Sequence, residues 1–139
     1  MSNPNAMTAM EVQQIMTREP TTAIATQDIV ELYDLFEQVP YHHIPVVDGK
    51  QLIGILSDRD FAKCICPFLE HQDSDAVRHI TVSEIMSKTP ITVDKTTSIN
   101  CASILLLENN ISCLPVVDED NALEGILTWK DILRFHIYY

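Results

Sequence analysis

Two seven-residue segments share one order of residue types: glycine, two aliphatics, a hydroxyl residue, two variable residues, then aspartate. They read Gly54-Ile55-Leu56-Ser57-Asp58-Arg59-Asp60 and Gly125-Ile126-Leu127-Thr128-Trp129-Lys130-Asp131. A strand ending on a hydroxyl residue delivers that hydroxyl to the mouth of the next helix. Free N–H groups and the positive end of the helix dipole favour an anion there. Ser57 or Thr128 can donate a hydrogen bond to a phosphate oxygen, and Arg59 or Lys130 can neutralise its charge. Asp60 or Asp131, one turn on, can accept both hydroxyls of a ribose, as carboxylates do at other nucleotide sites. The same spacing also reads as a capping box, worth roughly 1 kcal/mol without any ligand. The two readings are compatible, because a capped helix mouth can still face a cleft.

Other reactive residues form weaker patterns. Cys64-x-Cys66 with His42-His43 raises a metal or redox alternative, but zinc sites usually present two spaced ligand pairs and no second cysteine pair answers this one. Cys101, expected on a helix, and Cys113, beside a strand, read as structural thiols. No Gly-x-Ser-x-Gly, Walker loop or dinucleotide fingerprint occurs, so no catalytic activity is expected. Trp129 either stacks on a base or forms a surface contact, and the terminal group His136, Tyr138 and Tyr139 reads as packing or partner contact.

These segments sit inside a longer internal repeat, residues 12–63 against 82–134. Val12, Ile15 and Met16 recur as Val82, Ile85 and Met86; Pro20 and Thr22 as Pro90 and Thr92; Thr26 and Ile29 as Thr96 and Ile99. Pro45-Val46-Val47-Asp48 recurs as Pro115-Val116-Val117-Asp118. The spacing of about 70 residues is too long for the usual solenoid arrays. The register slips by one where Gly49–Gln51 is replaced by Glu119–Ala122, as an insertion in a turn would do. A duplicated small unit fits best, each copy too small to be robust alone.

Each copy reads β-α-β-β-α. An extended segment comes first, Thr21–Ala25 or Ile91–Asp94, set by the preceding proline. Helical spacing of apolar residues predicts helices over 28–39 and 98–109, the first with Asp28 and Glu31 as a possible capping box. β-Branched runs predict strands Ile44–Val47 and Leu114–Val117, each turning back into a hairpin partner, Leu52–Leu56 and Leu123–Leu127. A last helix follows Ser57 or Thr128 and runs to about Cys66 or Tyr138. The expected divisions are a tail at 1–11, a first domain at 12–66, a linker at 67–81 read as a polar loop with or without a helical turn, and a second domain at 82–139. The fold class is α+β, mixed helix and sheet.

Composition sets the outer bounds. Twenty acidic residues against nine Lys and Arg give a net charge of −11, which argues against bulk nucleic-acid or anionic-membrane binding. A small anion at one local site remains compatible, since distant charges are screened over about 8 Å. The longest strongly apolar run, Ile104–Leu107, is far short of the ~20 residues that span a bilayer. With no secretory pattern at Met1–Met10 and no need for disulfides, a cytoplasmic protein with reduced thiols is expected.

Both copies resemble cystathionine-β-synthase (CBS) domains, and the chain resembles a stand-alone tandem pair of them. The residues that carry the likeness are Ile15-Met16, the Pro20 and Pro90 segments, His43-Ile44-Pro45-Val46-Val47-Asp48, Cys113-Leu114-Pro115-Val116-Val117-Asp118, and the two glycine-to-aspartate segments. The resemblance implies two units packed with pseudo-twofold symmetry and clefts between them that take AMP, ADP, ATP or S-adenosylmethionine. Carried over, it points to Ile91, Thr92, Leu114, Pro115, Thr128, Lys130 and Asp131, and in the first copy to Thr22, Ala23, His43, Ile44, Ser57, Arg59 and Asp60. Ile91 suits an adenine face better than the polar Thr21-Thr22, and Asp58 opposes phosphate in the first copy, which favours one functional site, in the second copy; the acidic total favours AMP over ATP. A homodimer and a regulated partner protein are also implied. The rival reading is a ligand-free interaction domain whose repeated segments are only caps.

Overall fold

The computed structural model describes residues 10–70 and 74–139. In chain order the elements are a short 3-10 helix at Val12–Gln14, β1 (Thr17–Arg18), α1 (Ile29–Gln38), β2 (His43–Asp48), β3 (Gln51–Ser57), α2 (Asp58–Glu70), α3 (Ser74–Arg78), α4 (Val82–Ile85), β4 (Ser87–Lys88), α5 (Ile99–Glu108), β5 (Cys113–Val117), β6 (Leu123–Thr128) and α6 (Trp129–Tyr138). They form two compact units. One is continuous, Thr21–Pro90; the other is split, joining the residues up to Pro20 with Ile91–Tyr139.

The continuous unit holds a three-stranded sheet in the order β2-β3-β4. Its core gathers Ala23, Ile29, Leu32, Ile44, Val46, Leu56 and Val82. Helix α1 starts where the Asp28 carboxylate accepts the Glu31 N–H at 2.9 Å, half of the expected box, and it stops at Val39 ahead of Pro40. The split unit repeats the plan with the order β1-β6-β5. Its core gathers Val12, Met16, Val93, Ala102, Leu106, Leu114, Val116 and Leu127. Helix α5 starts on Ser98, whose Oγ accepts the Cys101 N–H at 3.0 Å, and it ends at Asn109 with Asn110 in the left-handed region. The hairpin turns use Gly49 and Asn121 at φ 63, the two residue types that tolerate that region best.

Three sequence expectations need correction. The segments around Ala23 and Val93 are extended but form single parallel bridges, to Val46 and Val116, rather than strands. Helix α2 does not stop at Cys66: it continues through Pro67 to Glu70, because Phe61 and Ile65 pack its apolar face on the core and the one hydrogen bond lost at proline does not end it. The segment from Pro67, read as a loop with or without a helical turn, carries that helix end and, as its helical turn, the short α3. Residues 71–73 of that segment, and 1–9 of the tail, lie outside the described residues. The sequence reading also missed the short elements ahead of each proline, β1 and β4, which supply the third strand of each sheet.

Candidate ligand site

In the split unit the strand register fixes where the candidate residues stand. Cys113 pairs with Thr128 and Leu114 with Leu127. The Val93 N–H donates to the Pro115 carbonyl at 3.1 Å, and the Val117 N–H donates to the Val93 carbonyl at 3.0 Å. Ile91 and Thr92 therefore run beside Leu114 and Pro115, at the sheet end where Thr128 opens α6. Lys130 and Asp131 lie in the first turn of that helix. Ile91 and Lys130 are exposed, and Thr92, Thr128 and Asp131 are half-buried. Leu114 is fully buried and Pro115 is buried, so both stand in the core of the unit.

The capping box is formed here. The Thr128 N–H and hydroxyl both donate to Asp131 Oδ2, at 2.8 and 3.1 Å, and the Asp131 N–H donates to Thr128 Oγ1 at 3.4 Å. The Trp129 N–H donates to the Ser112 carbonyl at 3.2 Å. Of the first three N–H groups of α6, only that of Lys130 has no acceptor among the described residues. A phosphate arriving there meets one free backbone donor and the Lys130 ammonium. Arg134 Nη1 stands 3.6 Å from Asp131 Oδ1, a pairing the i,i+3 spacing makes readable in the sequence.

The continuous unit assembles its candidates in the same way, with a different electrostatic outcome. His43 pairs with Ser57 and Ile44 with Leu56, while the Ala23 N–H donates to the Pro45 carbonyl at 2.9 Å. Thr22, His43, Ser57 and Asp60 are half-buried, Arg59 is exposed, and Ala23 and Ile44 are core residues. Ser57 Oγ accepts the Asp60 N–H at 3.0 Å, and among the described residues no hydrogen bond runs from Ser57 back to the Asp60 carboxylate. The Asp58 N–H donates to the His42 carbonyl at 2.9 Å, and the Asp58 carboxylate pairs with His42 Nδ1 at 2.6 Å. The sequence reading missed this pair, although the hairpin register that places Ser57 opposite His43 brings it together. Burial pushes the neighbouring His43 below its usual imidazole range, His42 adds to that, and Asp58 and Asp60 pull it back in part.

A hollow of the split unit lies at the other end of the sheet. A cavity of 390 Å³ is lined by Asp94, Lys95, Thr96, Val117, Asp118, Glu119, Asp120 and Glu124, around the hairpin turn. The Thr96 hydroxyl and N–H hold Asp94 below the usual carboxylate range. Thr92 reaches only an adjoining cavity.

The cysteines give little support to metal or redox chemistry. Cys64 and Cys66 sit two apart on α2, where side chains point to different faces. Burial raises the Cys64 thiol, and it pushes Cys113 up to about 12, so neither is a ready thiolate. Among the described residues no three His, Cys, Asp or Glu side chains gather at metal-binding distances. No helix among the described residues is long and apolar enough to cross a membrane.

Comparison with known proteins agrees with this architecture. The profile of the CBS domain matches residues 12–66 and 82–138. A homoserine O-acetyltransferase of Methanocorpusculum labreanum is 35% identical over 123 residues, which cover 88% of this chain and 23% of that protein. The chain spans less than half the length of the first such relatives, so their enzyme names do not carry over. Among solved structures, CBSX2 in complex with AMP is 28% identical with a TM-score of 0.79, covering 91% of this chain and 96% of that one. The CBS domain pair of protein MJ0100, in complex with 5′-methylthioadenosine and S-adenosyl-L-methionine, is 30% identical with a TM-score of 0.77, covering 91% and 99%. With two matched segments, two sheets of the same plan and these neighbours, the chain belongs to the CBS domain family.

Proposed function

We propose that the chain is a regulatory module, without catalysis of its own, that senses an adenosine ligand and signals to a partner protein. The observation that carries this reading is the pair of structural neighbours on the same fold, one in complex with AMP and one with 5′-methylthioadenosine and S-adenosyl-L-methionine. AMP is the favoured ligand of the split unit. Lys130 and its free N–H meet the phosphate, and Asp131 meets the ribose through Oδ1, since Oδ2 serves the cap. Signalling requires that the ligand bind two arrangements of the protein unequally. The working assembly is a homodimer in the cytoplasm. Trp129, Leu133 and Ile137, four apart along α6 and about half exposed or more, supply an apolar row for a second copy.

Thermal unfolding with and without AMP tests the ligand. At a hundredfold excess over Kd, binding adds about 2.7 kcal/mol to stability and raises the midpoint. Asp131→Asn keeps an acceptor for the cap, so it should leave the unliganded midpoint nearly unchanged while removing most of the AMP shift. No shift with AMP, ADP, ATP or S-adenosylmethionine favours the ligand-free interaction domain instead.

A further inference from the structure

The chain passes from one unit to the other after Pro20 and again after Pro90. The residue ahead of each proline lies in the left-handed region, Glu19 at φ 46 and Thr89 at φ 51. Gly49, Asn110 and Asn121 share that region at turns and a helix end, where their residue types suit it. Glu19 and a β-branched threonine do not suit it, and strain of this kind persists only where the surroundings hold it. The two crossings are held unequally. At the first, the Glu19 N–H donates to the Glu124 carbonyl at 3.4 Å, and the Thr21 N–H donates to the Tyr41 hydroxyl at 2.8 Å. These bonds grip the chain on both sides of Pro20. At the second, the Thr89 and Ile91 N–H groups have no acceptor among the described residues. The Thr89 hydroxyl only turns back on the Lys88 carbonyl, at 2.7 Å. The repeat supplies the reason for one of the missing bonds. Residue 111 takes the place of Tyr41 in the second copy, and it is an isoleucine packed on its own core, with no hydroxyl to offer Ile91.

We infer that Thr89-Pro90 is the moving joint between the units and that Glu19-Pro20, latched by Tyr41, is the fixed one. Hinges are a few residues at the ends of elements that absorb a change of φ and ψ. Lys88 is paired with Gly54 in one sheet, and Val93 is bonded to Pro115 in the other unit. A change of angle at this crossing therefore falls on residues 89–92. The proline ring fixes one of the torsions there, which leaves Thr89 as the residue best placed to yield. Ile91 and Thr92 are also candidate ligand residues, so on the sensing reading above an occupied site bears directly on the joint. The joint itself needs no ligand, and its test uses none.

Spin labels on Cys66 and Cys101, both exposed and one in each unit, read the joint as a distance distribution in the full chain. Cys64 is replaced by serine, and labelled chains are diluted in unlabelled ones so that only distances within one chain count. Thr89→Gly should widen the distribution by about twofold, since glycine takes both signs of φ. Glu19→Gly should leave it as in wild type, because Tyr41 still holds Thr21. Glu19→Gly combined with Tyr41→Phe should widen it again. Thermal melts establish that each variant is folded. Hydrogen exchange on the wild type needs no variant: the Ile91 amide should exchange about tenfold faster than the Thr21 amide, or more. A width unmoved by Thr89→Gly in a folded protein, equal widening by Glu19→Gly alone, or equal exchange at the two amides overturns the inference and leaves the sensing role untouched.

Discussion

Gly125 has no side chain because a strand edge occupies the place where one would go. A Cβ there would stand 2.7 Å from the Thr17 carbonyl and 2.9 Å from Met16 Sδ. At Gly54 it would stand 2.6 Å from Met86 Sδ and 2.9 Å from the Ser87 carbonyl. The glycine of the repeated segment is thus a requirement of sheet assembly, not of a ligand. Gly125→Ala should destabilise by about 1–3 kcal/mol. Gly54→Ala should cost less, because its nearest clash is a flexible methionine; urea unfolding of both variants measures the difference. His43 makes a second claim at this scale. Burial lowers its pKa below 6.5, so the unfolded chain takes up the proton first as the pH falls. Its contribution is complete above pH 6.5 and is lost as the pH drops towards its folded value. Denaturation midpoints should therefore fall on acidification over that window, and His43→Asn should flatten this part of the profile. The repeated glycine was plain in the sequence. Its purpose was not, since Met16 and Met86 lie far from it along the chain.

Among the elements, the helix starts after β3 and β6 are where the two readings of the repeated segment separate. Thr128 accepts one bond from Asp131 and donates two back, whereas Ser57 only accepts from Asp60. Thr128→Ala should cost about 1 kcal/mol, and Ser57→Ala less, in thermal melts of the unliganded protein. Helices α1 and α5 and the two hairpins were legible within a residue or two, because apolar spacing, Asp28, Ser98 and the proline and asparagine stops act locally; the short helices at Val12–Gln14 and Val82–Ile85 were not. The continuation of α2 past Pro67 was not legible: tertiary packing of Phe61 and Ile65 overrides the local signal. The strand register brings each set of candidate residues to one sheet end. Leu114, Ile44 and Ala23 nevertheless serve the cores of their units, a distinction that alternation alone does not supply.

At the scale of the molecule, the sequence repeat and the spatial units are out of step. β1 opens the first matched segment but pairs with β6 of the second; β4 opens the second but pairs with β3 of the first. Local pattern cannot reveal this, because two-residue strands have no period to read. The continuous unit contains its whole sheet and core, so Thr21–Pro90 alone should give a cooperative melt and dispersed amide spectra. Residues 82–139 lack β1 and Val12 and should not. The profile segments, 12–66 and 82–138, and the compact units divide the chain at different places.

The most direct test is a calorimetric titration of the intact chain with AMP. Saturable heat with a micromolar dissociation constant, abolished by Asp131→Ala in a protein that remains folded, is the expected result. A flat trace with AMP, ADP, ATP and S-adenosylmethionine alike would contradict the account.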